Sequence, residues 1–252
     1  MTIHEDRDRA GSFGEDAELY DRARPRYPDA MVSDLLGGEA PDVLDVGCGT
    51  GIAAEAFAAR GCRVLGVEPD ERMAAVARRK GLDVEVSELE SWDPRRRAFG
   101  LVVSGQAWHW VDPVRGPAAA ARALVPGGRI ALFWNIGHHD DDTQAALDAV
   151  YARHAPQLVP EAVTLRRVGR EGDAEALRLS GEYEEPEVRH YPWTRRHTAA
   201  EWVAKLPTHS DHRLLPDAVR EALLADVAAV IEERGGIEVR YDTLVVTALR
   251  RR

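Results

Sequence analysis

The stretch Val43-Leu44-Asp45-Val46-Gly47-Cys48-Gly49-Thr50-Gly51 limits most strongly how this chain can fold. A short apolar run rich in β-branched residues fits a strand buried on both faces. An acid sits inside that run, and three alternating glycines follow it. Glycines accept left-handed backbone and let a ligand approach the main chain closely. A helical pattern over 51–60 follows, ended by Gly61. Strand, glycine turn and helix in that order open a parallel α/β sheet, with ligands expected at the strand C-termini.

The spacing also restricts the ligand. A dinucleotide fingerprint, Gly-x-Gly-x-x-Gly counted from Gly47, would put its third glycine on Ile52, so a nicotinamide oxidoreductase is disfavoured. A triphosphate loop needs Gly-Lys-Ser/Thr, and no lysine is present here. Asp45 would repel a phosphate and suits an ammonium or a zwitterionic amino-acid tail. Glu68 closes the next strand, where an acid can accept both hydroxyls of a ribose. The three features together suit a nucleoside that carries an amino-acid tail.

The alternation continues down the chain. Strands are expected over 63–67, 83–86, 101–104 and 129–134. A helix is expected over 70–80, with Asp70 as N-cap and Gly81 as terminator. Asp112-Pro113 opens another helix, which runs to about 124, and Pro126-Gly127-Gly128 turns into the next strand. The expected fold class is α/β, a doubly wound, mostly parallel sheet with a helical cap. The second half differs: helix 143–155, irregular charged chain 156–186, strand 189–195, helices 199–206 and 216–234, and a long strand 237–249. Two short helices over 14–37, broken at Pro25 and Pro28, precede the sheet. We read one domain, 1–252, made of an N-terminal cap segment 1–37, a cofactor-binding half 38–137, a substrate cap 138–215, and a C-terminal helix and strand 216–252.

Composition narrows the class. The formal net charge of −10 argues against a nucleic-acid binder, whose footprint is usually a basic face. Only two cysteines occur, Cys48 and Cys62, so no disulfide framework holds the chain. Nearly all positive charge is arginine, with lysine only at Lys80 and Lys205, which reads as codon bias. No apolar run is long enough to cross a membrane, and the charged start is unlike a signal peptide, so the cytoplasm is the expected compartment.

The glycine stretch with Asp45 and Glu68 resembles the cofactor site of class I S-adenosylmethionine-dependent methyltransferases. The resemblance covers most of the chain. Ser12-Phe13-Gly14 through Arg24-Pro25-Arg26-Tyr27-Pro28 is similar to the cap of a small-molecule branch, methyltransferase type 11, trans-aconitate-methyltransferase-like. Ser104 through Asp112, with Trp108-His109-Trp110, resembles that branch's segment after the fourth strand, and Leu124 through Gly128 its turn before the fifth. The resemblance implies a seven-stranded sheet of order 3-2-1-4-5-7-6 with the seventh strand antiparallel. It implies S-adenosyl-L-methionine as cofactor and S-adenosyl-L-homocysteine as product. Gly47, Gly49 and Gly51 would line the methionine end beside Asp45. Glu68 would bind the ribose, Pro69 and Met73 would flank the adenine, and Leu89 and Glu90 would close its other side. Gln106 would lie under the sulfonium, and Arg24 would reach the methionine carboxylate.

The acceptor side is less specified. An in-line methyl transfer asks mainly for positioning, and a base helps when the acceptor is a hydroxyl or an acidic carbon. His109, just after the fourth strand, is the candidate base; the alternative is packing between Trp108 and Trp110. Trp108 and Trp110 are candidate walls for a planar substrate, and Tyr20 and Tyr27 are candidate pocket residues, although core or cap packing explains each equally simply. His138-His139-Asp140-Asp141-Asp142 invites a metal, but acids at a helix start explain it better. His209, Asp211 and His212 read as a solvated loop or a substrate contact. The sequence leads to methyl transfer onto an O, N or C atom of a small molecule. The alternatives are a non-catalytic cofactor-binding module and, less favoured, an oxidoreductase.

Overall fold

The computed structural model describes residues 14, 16–158 and 172–252. Ser12, Phe13 and residues 159–171 of the charged stretch lie outside the described residues. Seven strands form one sheet of order β3-β2-β1-β4-β5-β7-β6: β1 Val43–Val46, β2 Val64–Glu68, β3 Asp83–Val86, β4 Phe99–Gly105, β5 Leu124–His138, β6 Glu187–His197 and β7 Ile237–Leu249. The first five strands pair in parallel, and β7 runs antiparallel to both β5 and β6. Order and strand direction are those implied by the sequence resemblance.

The two-residue side-chain period of a strand sorts the core onto two faces. Leu44, Val46, Val102, Ile130, Leu132, Leu244 and Val246 pack to one side, against α5 Arg115–Ala123. Val43, Leu101, Val103, Ala131, Phe133 and Val245 pack to the other. There they meet α2 Asp29–Leu36, through Met31 and Leu35, and α3 Ile52–Ala58, through Phe57. Every residue of β1 is buried, as expected for a strand covered on both faces.

Two expected boundaries change. Strand β5 begins at Leu124 rather than 129, directly after α5. Phe99 pairs with Leu124 and Leu101 with Arg129, so Val125 through Gly128 bulge within the strand instead of preceding it. Residues 172–180, read as irregular, form helix α7. Its Leu177 is fully buried in the core, so one apolar contact overrides a locally charged sequence.

The cap has its own apolar cluster. Helices α6 Asp141–His154, α8 Ala199–Lys205 and α9 Asp217–Glu233 pack Leu147, Trp202, Leu223 and Val227 against Val239 and Tyr241 of β7. The segment 138–215 therefore supplies both helices and the edge strand β6. At the N-terminus, α1 Ala17–Ala23 lies against α4 Glu71–Arg79 and α8, so it bridges the sheet half and the cap.

Core and edge positions should separate sharply in stability. Phe133→Ala, at a fully buried site, should cost about 3–5 kcal/mol by chemical denaturation. Val188→Ala, half exposed on the edge strand, should change stability by less than about 0.5 kcal/mol.

Candidate active site

The glycine loop sits at the C-terminal end of β1. Gly47, Gly49 and Gly51 all have positive φ, at 65°, 56° and 86°. A methyl group on Gly47 would stand 2.6 Å from the Ala107 Cβ, so only glycine lets the loop meet the segment after β4. Cys48 tucks its sulfur over Gly66 and is buried, which is the packing role for that residue.

Two acids lie beneath the loop on neighbouring strands. Asp45 is fully buried, and neither carboxylate oxygen has a hydrogen-bond partner. Burial pushes its pKa up to about 8; the nearby Ala54 backbone N–H, outside hydrogen-bond geometry, offsets part of that, and the charge of Glu68 adds to it. Glu68 accepts the Gly49 N–H at 2.8 Å and the Asp70 N–H at 3.0 Å. Burial raises its pKa to about 7 despite those two donors. Glu68 thus braces the loop it faces, a role beyond the ribose contact read from sequence.

The other sequence-derived residues distribute around this point. Met73 is buried against Ala17, Val76 and Tyr20, and its Cε is 3.4 Å from where a Gly49 side chain would begin. Pro69 is exposed beside it. Glu90 accepts the Asp112 N–H at 2.7 Å, which ties the turn after β3 to the segment after β4. Gln106 takes a left-handed backbone, φ 59°, uncommon for a residue with a side chain and a mark of strain held by its surroundings. Its N–H donates to Phe133 and its Nε2 to the Asn135 carbonyl at 3.2 Å. Tyr27 packs edge-on to Phe133 at 4.7 Å, with its hydroxyl over Gly105. Tyr20 lies under the Arg24 guanidinium, 4.8 Å from ring centroid to carbon.

Arg24 spans to the cap: its Nη2 donates to the Thr208 carbonyl at 2.6 Å, while its Nε is buried without a partner. His109 sits in a one-turn 3-10 helix, Trp108–Trp110, half-buried, with its ring 5.0 Å from that of Trp110.

Three readings are corrected. Trp108 is 1% exposed and packs in the main core near Gly116, so it fills the interior and offers no face to a substrate. Leu89 is likewise turned into that core and is no exposed wall for an adenine. His212 is buried, bonding Asp211 at 2.7 Å and the Tyr151 hydroxyl at 2.6 Å, so it belongs to the cap's polar interior rather than to a solvated loop. Asp140 caps α6 by accepting the Thr143 N–H, the helix-start role for the acidic run after β5.

Sequence reasoning missed two connections. Lys80 looked like a helix-end charge, yet its Nζ reaches Asp21 at 2.8 Å, the Thr50 carbonyl at 2.9 Å and Glu55 at 2.7 Å. It pins the cap helix α1 to the glycine loop. A second chain crosses the sheet: Trp193 Nε1 donates to Thr243 Oγ1 at 2.9 Å, and that hydroxyl donates to Asn135 Oδ1 at 2.6 Å, beside Gln106. Only strand register reveals it. An open cavity of about 390 Å³, lined by Asp42, Cys62, Arg63 and Asp83, lies at the opposite ends of the strands, away from these groups.

The buried acids set a pH dependence. A carboxyl whose folded pKa is raised contributes stability that is complete below its unfolded value and lost as pH rises through the folded one. Between about pH 5 and 7 the free protein should lose stability through Asp45 at up to about 1.4 kcal/mol per pH unit. Asp45→Asn should remove that slope, leaving a smaller one from Glu68, as read by denaturation at a series of pH values.

Comparison with known proteins bears on this arrangement. A model described as a methyltransferase domain matches residues 44–132, from β1 through β5. An uncharacterized methyltransferase of Mycobacterium tuberculosis is 40% identical over 132 residues, 51% of this chain and 54% of that protein. A ubiquinone biosynthesis O-methyltransferase of Alkalilimnicola ehrlichii is 33% identical over 141 residues, 52% of this chain and 55% of that protein. The chain thus spans about half the length of the curated relatives it matches. The structure of a putative type II methyltransferase from Anaeromyxobacter dehalogenans superposes with a TM-score of 0.65, covering 90% of this chain and 97% of that one at 23% identity, a likeness of fold. Among the described residues no helix is long and apolar enough to cross a membrane. Domain match, relatives and fold agree, and residues 44–132 are those of a methyltransferase domain carried on this seven-stranded α/β fold.

Proposed function

We propose that this chain transfers a methyl group from S-adenosyl-L-methionine to a small-molecule acceptor. The observation that carries this reading is Asp45, buried with both oxygens unpartnered immediately before a positive-φ glycine loop. A methionine tail offers the ammonium that this carboxylate lacks, whereas a dinucleotide pyrophosphate would bring a second negative charge. The orphaned Arg24 Nε supplies a donor for the tail's carboxylate. Gly47, Gly49 and Gly51 would line that tail, and Glu68, Pro69, Met73 and Glu90 would frame the nucleoside. The bound cofactor supplies a methyl already activated by its sulfonium.

What remains for the protein is placement and exclusion of water. Gln106, held in its strained backbone by Phe133 and Asn135, marks the floor between cofactor and acceptor. Tyr20, Tyr27 and Trp110 are the proposed acceptor contacts. His109 is the proposed base, taking the proton from a hydroxyl or an acidic carbon as the methyl arrives. An oxygen acceptor is supported by the relative named for O-methylation in ubiquinone biosynthesis. The acidic net charge and the segment Ser104-Gly105-Gln106-Ala107, which lacks an Asn/Asp-Pro-Pro-aromatic run, favour a small molecule over a nucleic-acid base.

Calorimetry with S-adenosylmethionine, S-adenosylhomocysteine and NAD tests the reading. Both adenosyl ligands should bind in roughly the micromolar range, NAD should not, and Glu68→Ala should weaken binding at least about tenfold. Binding of NAD alone would refute it. With an acceptor that supports turnover, His109→Ala should lower kcat while leaving KM for the cofactor unchanged.

A further inference from the structure

Lys80 follows the last turn of α4, just before Gly81, whose left-handed backbone ends the helix. A cation there suits the helix dipole without needing any partner of its own. This one turns inward. Its side chain is 19% exposed, and its Nζ meets acceptors on three separate elements. Asp21 Oδ1 of α1 lies at 2.8 Å, Glu55 Oε2 of α3 at 2.7 Å, and the Thr50 carbonyl of the glycine loop at 2.9 Å. An ammonium has three protons to donate, and these acceptors use all of them. Arg26 faces the same two acids from farther off, at 3.6 Å and 3.7 Å, and is half exposed. The Thr50 contact is a specific one. The Glu55 N–H donates to the Gly51 carbonyl and the Ala54 N–H lies near Asp45, which leaves the Thr50 carbonyl to Lys80. That carbonyl shares a planar peptide with the Gly51 N–H, so the ammonium fixes the orientation of both at the end of the loop.

Helix α1 depends on this contact more than its neighbours do. It has seven residues, too few for a helix to persist alone in water. Among the described residues its apolar hold on the sheet half is a small cluster, Ala17 and Tyr20 on Met73 and Val76. The Glu18–Arg79 pair at its start is more than half exposed on both sides, so it contributes little. Asp21 is different: burial opposes its ionisation, yet Lys80, with Arg26 behind it, holds its pKa below the usual carboxylate value. At the cap end the chain is anchored separately, by the Arg24 bond to Thr208 and by contact with α8. Few buried apolar contacts and reliance on one inward ion pair mark a segment that opens locally. Release of Lys80 would free the loop end of α1 while the cap end stays in place.

We propose that Lys80 is a positioning residue of the cofactor site: it latches α1 to the glycine loop, and the opening of that latch sets how fast the cofactor leaves. The proposal rests on the methyltransferase reading for the word cofactor, and on the contacts of α1 for the latch. Lys80 touches no reacting atom. It acts through the Thr50–Gly51 peptide on one side and through Asp21 on the other. Helix α1 covers Met73 through Ala17 and Tyr20, so lifting its loop end uncovers the side chain proposed to flank the nucleoside.

Hydrogen exchange of the free protein tests the latch with no ligand present. Lys80→Met keeps the aliphatic stem and removes the charge; Asp21→Asn removes the partner on α1 and leaves the bond to Thr50. In both variants the amides of residues 17–23 should exchange at least about tenfold faster, while β4 and β5 keep wild-type protection. Arg26→Met, which removes the more distant cation, should change that exchange less than about threefold. Stopped-flow binding of S-adenosylhomocysteine tests the consequence. Its dissociation should be at least about tenfold faster in both variants, with association changed less than about threefold. Unchanged exchange of α1 in either variant would overturn the proposal, as would an equal acceleration in β4 and β5, which would make Lys80 a general support of the fold. An equal effect of Arg26→Met, or wild-type dissociation from a loosened α1, would overturn it too. Failure of S-adenosylhomocysteine to bind the wild-type protein would strike the methyltransferase reading, and the exchange result alone would then uphold or overturn the latch.

Discussion

Asp45 stands in the central strand of the sheet with both carboxylate oxygens buried and unpartnered, directly under the glycine loop. Such a group opposes folding whenever it is ionised, and its pKa rises to about 8 in consequence. The surrounding structure holds it there. Its strand is covered on both faces by apolar side chains, the loop after it is braced by Glu68, and left-handed glycines turn that loop over it. In the proposed function, a cation delivered by the ligand would relieve the acid. The strand, the loop and the second acid are best understood as the means of holding that acid ready.

The cap is tied to this point by charge rather than by apolar packing alone. Lys80 joins α1 to the loop through Asp21 and the Thr50 carbonyl. Arg24, just after α1, reaches across to Thr208 in the cap. Between these two contacts the N-terminal helix spans from the glycine loop to the cap. On the far side the setting differs: the glycine loop stands over buried acids, while the Lys205 amine is buried against Trp202 and the Tyr241 hydroxyl.

Most of the sheet was legible because β1, β2 and β4 are short apolar runs closed by a glycine or an acid. Strands 83–86 and 237–249 fall where their patterns place them. The start of β5 was not legible, because Pro126-Gly127-Gly128 carries turn chemistry and a bulge absorbs it inside a strand. Helix 172–180 was hidden by its charges, since one buried leucine anchors it. In the site, Asp45, Glu68 and the glycines announced themselves by spacing. Trp108 misled, because an aromatic beside a pocket and an aromatic beneath one read alike in sequence. Lys205, Asn135, Thr243 and Trp193 carried no signal: their meaning comes from strand register and from helix α8 folding over β7. A lysine near a helix end reads as solvated until the cap is seen to close over it.

The central claim is that a ligand's ammonium pairs with Asp45, and proton release measures it most directly. S-adenosylhomocysteine would be titrated near pH 7 in buffers of differing ionisation enthalpy. Asp45 is mostly protonated there in the free protein, so binding should release close to one proton, and Asp45→Asn should abolish most of that release. Binding without proton release, or the same release from Asp45→Asn, would mean that the buried acid does not meet the ligand's charge.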